Sequence, residues 1–569
     1  MTRLLNTPLR VAAVLAAGAL ALTACSGDDG DSAKPSGSAS ASASATEETP
    51  TLPSTGWARA DRDKIADGGK ISLAVDTLPA NWQLNNVDAG TVDDQNNVYF
   101  YLPEFVQIKE DGSWEADPNY ATSVALKSED PQVAEIKINP KATWSDGTPI
   151  TVDDVKANWN ALNGKNKDFA PISTNVWEDV ASVEAGTDER DVLITFAKKN
   201  ADWASVLGNV YPAWAVDTPD HFNKAWAKGP FAKDGKTFVS AGPFIVKSID
   251  ANGQVLTYEK NPKWWGEPAK LDTVVLKAVS RDGQPQAFAN SELDAINLYG
   301  NADALKTVQG RSDAEVERSL GTTFRHVTLN GQSDAFSKVE ARKAFAMALD
   351  RKTLGQAILS GVGSPVVQLD SLIYLPGQNG YQDNASEFYK NDPAAAKQIL
   401  DDAGIATPIA VRFVIPSDNT NSANIATLVQ AETKAAGFDV KIDTVPSADF
   451  FTKYINTDDR NFDATYFAWQ GTPFPVSSTK SIYYPADSGQ NYPGITDDTL
   501  GADWDAANAE LDPAARITKA NAIDKKIVGL FGTLPLFPEP YAWGVKKGLV
   551  NYGPVQFESV HWENVGYLS

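Results

Sequence analysis

The chain carries a single cysteine, Cys25, among 569 residues, so no internal disulfide can staple any part of it. Its three histidines, His221, His326 and His561, lie far apart in sequence, which argues against a His- or Cys-ligated zinc site. A chain of this length without staples must be held by buried apolar cores, and at about 150 residues per domain it has material for more than one. A hydrophobic fraction of 42% and a charged fraction of 22% are ordinary for globular protein. Acids outnumber bases 73 to 50, for a net charge of −23. Nucleic-acid recognition needs a basic face, so no such partner is expected. A hard cation on carboxylates is the remaining metal option, and no Asp-x-Asp-x-Asp-Gly loop occurs to hold one. No metal and no cofactor are expected.

The cysteine's position has its own meaning. Met1 to Arg10 holds two arginines and no acid, and Val11 to Leu22 is built only from Ala, Leu, Val and Gly. That is a basic n-region and an apolar h-region too short to span a bilayer as a mature helix. It ends in Leu22-Thr23-Ala24-Cys25, which resembles a bacterial lipobox. The expectation is a lipoprotein signal peptide at 1–24 and lipid attachment at Cys25. Ser26 to Gly56 is rich in Ser, Ala, Gly, Asp, Thr and Pro and offers no apolar periodicity to offset the entropy of ordering. Residues 25–56 are therefore expected to be a disordered tether. A bacterial lipoprotein carries more than one acyl chain, which is what stable anchoring requires. The expected location is the extracytoplasmic face of the cell membrane, lipid-anchored.

Beyond the tether, strand and helix patterns alternate. Ile71 to Val75 reads as a short strand after the turn Asp67-Gly68-Gly69, and Ala134/Ile136/Ile138 and Val192/Ile194/Phe196 have the period of half-buried strands. Thr151 with Asp154 resembles a capping box opening a helix that buries Val155, Trp159 and Leu162. Ser337 with Glu340 predicts another helix with Ala341, Ala344, Phe345, Ala348 and Leu349 on one face. Asp392-Pro393 predicts a helix start and Gly404 its end. Ile425, Leu428 and Val429 lie on a further helix, stopped by Gly437 before a strand at Asp439 to Val445. Strands alternating with helices mean mixed α/β layers.

Trp144-Ser145-Asp146-Gly147-Thr148-Pro149-Ile150-Thr151-Val152-Asp153-Asp154-Val155 resembles the signature of solute-binding protein family 5, the extracellular receptors of peptide- and oligopeptide-type ABC importers. Gly242-Pro243-Phe244 with Asn261-Pro262-Lys263-Trp264-Trp265, then Ser291-Glu292-Leu293-Asp294-Ala295, the stretch Val339 to Arg351, and Ala395 to Gly404 resemble further family segments in the family's order. The resemblance runs from about residue 70 to the C-terminus. It implies an α/β, type II periplasmic-binding fold in which two lobes joined by two hinge strands close on a ligand. By motif order the first lobe takes 57–325 plus 535–569, with the family's insertion at about 106–234, and the second lobe takes 326–534. The hinge strands are expected near Thr323 to Leu329 and Leu534 to Phe537.

The resemblance also implies where a solute is held, in loops that combine aromatic faces with neutral amides, as a cleft requires. The expected ligand-binding residues are Asn81, Trp82 and Gln83 after the first strand; Tyr99 and Tyr101; Trp469, Gln470, Thr472 and Phe474 after the strand Ala464 to Ala468; and Asn491 and Tyr492. Trp144, Trp264, Trp265 and Trp159 read as framework. Peptide receptors of the family commonly place an aspartate just after the tryptophan of the Trp469 segment, to pair with the ligand's α-ammonium. Here Gln470, Gly471 and Thr472 stand instead, and Asp463 or Asp449 would have to reach the same point. The stretch Phe467 to Pro475 looks like the LpqW-like subgroup of actinobacterial lipoproteins, some of them linked to envelope assembly rather than uptake. No Gly-x-Ser-x-Gly elbow, phosphate loop, dinucleotide fingerprint or His-Glu-x-x-His occurs, so no catalytic residues and no enzyme are expected. The expected partners are a small solute, an oligopeptide or related molecule, and the permease and ATPase subunits of an ABC importer. The chain is expected to be a monomer.

Overall fold

The computed structural model describes residues 51–79, 81–89, 100–417 and 419–569. The expected signal peptide, Cys25, the expected tether up to residue 50, and Tyr99 lie outside the described residues. Two large sheets organise the rest. The first has seven strands in the order Ala314–Ser319, Tyr541–Lys546, Ala295–Asn297, Lys70–Val75, Thr273–Ala278, Val255–Lys260, Phe244–Asp250. Its central strand Lys70–Val75 runs parallel to both neighbours, and the outer pairs are antiparallel. The second has five, in the order Phe438–Val445, Ile409–Pro416, Ala464–Gln470, Thr323–Leu329, Thr533–Pro538. An antiparallel four-stranded sheet, Ala121–Glu129, Gln132–Ile138, Asp191–Phe196, Val180–Ala185, shares one continuous apolar core with the first sheet. The second sheet has a core of its own. The molecule is thus two α/β lobes, as the family resemblance implies.

Local signals account for most element ends. Thr151 and Asp154 make the reciprocal capping box that starts helix Val152–Leu162, and the Asp392 side chain accepts from Ala395 N ahead of Pro393 in helix Pro393–Asp402. The Ser337 expectation fails. That helix runs Val339–Ala348 with Lys338 at its N-cap and no side-chain cap bond, so Ser337 stands one residue ahead of the cap position, and its carbonyl and that of Phe336 accept from the Arg342 guanidinium. The family segments prove to be one interlocked unit. Ser145 N donates to Ser240 O and Ser145 Oγ accepts from Ser240 N, while Asn261 Nδ2 donates to Gly242 O at 2.9 Å. A Cβ at Gly242 would lie 2.3 Å from Phe100 O, so no larger residue fits. Asp154, buried, accepts from Thr151 N and from Ala213 N at 2.7 Å, and burial pushes its carboxyl up to about 6. Trp144 is fully buried, and Trp264 and Trp265 pack with Tyr120.

The chain passes between the sheets twice, at Leu320–Thr322 and at Glu539–Pro540. The two strands expected as hinges, Thr323–Leu329 and Thr533–Pro538, pair antiparallel within the second sheet, so the passages lie a few residues outside the expected limits at 325 and 535. They run against each other: Glu539 N donates to Thr323 O at 2.7 Å, Arg325 Nε to Glu539 Oε1 at 2.6 Å, and Thr322 Oγ1 and Tyr541 OH are 2.8 Å apart. Gly321 is pressed so closely on the other passage that a Cβ would sit 1.9 Å from Glu539 O. The last part of the expected tether is built into this joint. Leu320 N donates to Pro53 O and Gln556 N to Ser54 O, and the Gln556 amide donates to Gly321 O and Pro376 O. With their polar groups paired to the body, residues 53–56 belong to the fold rather than to a tether. No helix among the described residues is long and apolar enough to cross a membrane.

Candidate functional site

Strand Ala464–Gln470 puts Phe467 and Trp469 on one face, because successive side chains of a strand alternate. His326, opposite Phe467 on the neighbouring strand, lies edge-on to it at 4.3 Å and parallel to Trp469 at 6.3 Å. Tyr492 stacks on Trp469 at 5.8 Å and 23° and meets Phe467 edge-on at 5.4 Å. Phe451, about half exposed, closes the group against Phe467 at 5.5 Å. Trp469 and Tyr492 are each half-buried. The result is an aromatic wall at the end of the second sheet that lies nearest the interlobe passages. Its charge is low: burial holds His326 neutral, with its pKa near 3, and raises Tyr492 above the usual phenol range.

After Trp469 the chain turns through Gly471, Thr472 and Pro473 into helix Pro475–Tyr483. Gly471 N donates to Thr322 O at 2.8 Å, which ties the turn to the first passage. Gln470 is exposed and its amide approaches Thr322 Oγ1 at only 3.4 Å. Thr472 Oγ1 faces Ser478 Oγ at 3.0 Å, and its carbonyl accepts from the Gln378 amide at 2.9 Å. Phe474 packs across the gap onto the first lobe's core. Asn491 is committed inside its own loop: Nδ2 donates to Pro485 O and Ile495 O, and Oδ1 accepts from Gly494 N. With both amide protons committed and the residue 1% exposed, that side chain holds the loop carrying Tyr492 rather than facing outward.

The first-lobe residues form a separate group. Asn81 Oδ1 accepts from Gln83 N, Trp82 O accepts from Tyr211 OH at 3.0 Å, and Trp82 lies 5.6 Å from Tyr101, which is 6.1 Å from Trp226. All are buried, Trp82 at 3% exposure, so in this conformation neither ring offers an open stacking face. Gln83 Oε1 accepts from Asn85 N, yet its Nε2 is buried without a partner, a donor still in need of an acceptor. Glu104, three residues beyond Tyr101, is pushed to about 8 by burial and, secondarily, by the charge of Asp117.

The two alternative acids have other partners in this structure. Asp463 immediately precedes the strand that Trp469 nearly ends, about 20 Å away at strand rise, and its carboxylate accepts from Arg412 N. Asp449 is paired with Lys453 at 3.0 Å. Sequence reasoning did not single out Gln378 and Leu375, which back the Trp469 turn from an irregular segment between Val362 and Ser386. No periodicity marks such a segment. Among the described residues no group of three or more His, Cys, Asp or Glu is placed to hold a metal ion.

Residues 115–491 match the family model for bacterial extracellular solute-binding proteins, family 5, middle part. The oligopeptide-binding protein OppA of Mycobacterium tuberculosis is 32% identical over 521 residues, 89% of this chain and 86% of that protein. A second protein of that organism, named "Probable monoacyl phosphatidylinositol tetramannoside-binding protein LpqW", is 25% identical over 318 residues, 54% of this chain and 48% of that one. Among solved structures, the periplasmic EDTA-binding protein EppA superposes with a TM-score of 0.79 at 22% identity, covering 91% of this chain and 99% of that one. On the length of the family match and the identity to OppA, this chain belongs to the bacterial extracellular solute-binding proteins of family 5, built on the type II periplasmic-binding fold, and is a receptor rather than an enzyme.

Proposed function

We propose that the chain is a lipid-anchored receptor, attached through Cys25, that captures an oligopeptide or peptide-like polar solute between its lobes and delivers it to an ABC importer. The observation that carries this reading is the half-buried Trp469–Tyr492 stack at the mouth of the interlobe passages, followed at once by Phe474 reaching the other lobe's core. The similarity to an oligopeptide-binding protein over most of the chain supports it. The lobes divide at Leu320–Thr322 and Glu539–Pro540, and the four-stranded sheet lies in the insertion near 106–234. Solute contacts come from Trp469, Gln470, Thr472, Phe474 and Tyr492 on one side, and from Asn81, Trp82, Gln83, Tyr99 and Tyr101 as the lobes open. With no acid after Trp469, an ammonium held there would lack a partner, at a cost of several kcal/mol. The solute is therefore neutral or blocked at that end.

Calorimetry with a mixed library of di- to pentapeptides and its N-acetylated counterpart tests this reading. Binding that survives acetylation is expected; tight binding that acetylation abolishes would restore an ordinary free-peptide receptor. The same missing acid, with the LpqW likeness over about half the chain, favours one second reading, an envelope-assembly or regulatory lipoprotein without an importer. Mass spectrometry of whatever small molecule copurifies separates the two: a peptide-like compound supports uptake and a glycolipid supports assembly.

A further inference from the structure

Asp202 stands just after the four-stranded sheet, on the first lobe's side. Its loop is rigid. Asn200 N donates to Gln132 Oε1 at 2.7 Å and Gln132 Nε2 to Asn200 O at 2.8 Å, with Gln132 buried, and Asp202 N donates to Asn200 Oδ1. The next turn, Trp203–Leu207, belongs to the first lobe's core. Yet both partners of the Asp202 carboxylate come from the other lobe. Oδ1 takes Arg516 Nη1 at 2.5 Å and Oδ2 takes Ser477 N at 3.2 Å. One residue earlier, Ala201 N donates to Asn508 O at 2.7 Å. The Asp202 side chain is 2% exposed and that of Arg516 15%, so the pair is withdrawn from water where the lobes meet.

The socket is as firm as the plug. Helices Pro475–Tyr483, Leu500–Asn508 and Pro513–Gly529 pack in one apolar cluster, and Trp504 Nε1 donates to Val476 O at 2.9 Å. Ser477 is in the first turn of its helix, where unpaired backbone N–H groups and the helix dipole favour an anion. Arg516 supplies the second, independent feature. Its Nε and Nη2 are buried without partners, so among the described residues Asp202 is the acid that neutralises this guanidinium. Helix Pro475–Tyr483 follows directly on the Trp469–Phe474 segment, so whatever sets the position of that segment sets the position of the socket.

The geometry points to Asp202 as an interlobe latch: a carboxylate carried by the first lobe that seats between Arg516 and the start of helix 475–483 when the solute-contacting segment takes its closed position, and so governs solute release. This rests on the receptor reading above. A buried ion pair adds little net stability against its desolvation, but removing one partner leaves the other stranded. The latch therefore acts chiefly by penalising every closed pose in which the two do not meet.

The test uses the full chain with Asp202→Asn, Arg516→Met, both together, and Arg516→Lys as the conservative variant. Small-angle scattering without solute and release of the di- to pentapeptide library, followed by tryptophan fluorescence, are measured for each after thermal melts establish folding. Each single variant is expected to enlarge the solute-free radius of gyration or to release peptide about tenfold faster, equivalent to ~1.4 kcal/mol. The double variant should be no worse than the worse single one, and Arg516→Lys should fall between. Wild-type dimensions and release in both single variants overturn the latch, as does a double variant whose effect is the product of the two. If wild-type protein binds none of the peptides, the proposed solute class fails, and the solute-free scattering alone decides on the latch.

Discussion

Gly321→Ala should weaken the joint between the lobes, and its effect can be worked from distances. The new Cβ would start 1.9 Å from Glu539 O, whereas ordinary contact is about 3.5 Å, so the two passages must part by about 1.5 Å. Parting threatens the Glu539 N to Thr323 O bond at 2.7 Å, the Arg325–Glu539 contact at 2.6 Å and the Thr322–Tyr541 contact at 2.8 Å. Overpacking strain of about 1–3 kcal/mol and the loss of one hydrogen bond at about 1 kcal/mol give a destabilisation of roughly 2–4 kcal/mol. For a body of this size that corresponds to a fall in Tm of roughly 5 °C. Differential scanning calorimetry measures it directly, with Gly310→Ala as the control, since nothing lies within 4 Å of a Cβ at that position. A Gly321→Ala protein melting within a degree of wild type would refute the reasoning, because the passages would then have slack that the geometry denies.

Four other outcomes are expected. Arg351→Met removes a guanidinium paired with Asp370 at 2.6 Å and bound to Leu369 O and Gln368 Oε1, and should cost about 3–5 kcal/mol in urea titration; a loss below 1 kcal/mol would count against it. Burial raises Glu104 to about 8, Glu317 and Glu432 to about 7, and Asp524 to about 6. Folded values above unfolded ones mean stability fully present below about pH 4.5 and lost as pH rises through 6 to 8, so Tm should decline from pH 5 to pH 8 and Glu104→Gln should flatten the upper part; a profile rising over that range would sink the argument. Trp469→Ala should weaken peptide binding about 3- to 10-fold by calorimetry, the scale of one aromatic stack, and unchanged affinity would remove Trp469 from the site. Cys25→Ser should leave the folded body intact but release it to the medium or leave it unprocessed, and a variant that still fractionates as a processed membrane protein would contradict the anchor.

What could be read from the sequence was what is local. Ala134, Ile136 and Ile138 alternate because one face of their strand is buried, and the structure keeps that register. The Thr151–Asp154 box is visible as two residues three apart, and it forms. Ser337 and Glu340 have the same spacing, but the helix starts one residue later, with Lys338 at its N-cap, a shift that spacing does not reveal. Asn491 was legible as an amide beside an aromatic ring; that its own loop consumes it depends on Pro485 and Ile495 coming together. Asp202 and Arg516 stand 314 positions apart, and among 73 acids nothing local distinguishes the one that faces another lobe. The motifs located the wall at Trp469; only the folded chain pairs it with Tyr492 and sets it beside the passages.

Residues 53–56 fasten to Leu320, Pro554 and Gln556, and Gln556 grips Gly321 and Pro376, so the chain joins the body at the fulcrum of its two jaws. A pull transmitted from upstream of that point has almost no lever arm about the closing axis. It can drag the receptor or turn it as a whole, but it exerts little torque to spread or shut the jaws. Held through the proposed anchor at Cys25, the receptor would swing under load while its grip stayed set by what lies between the jaws.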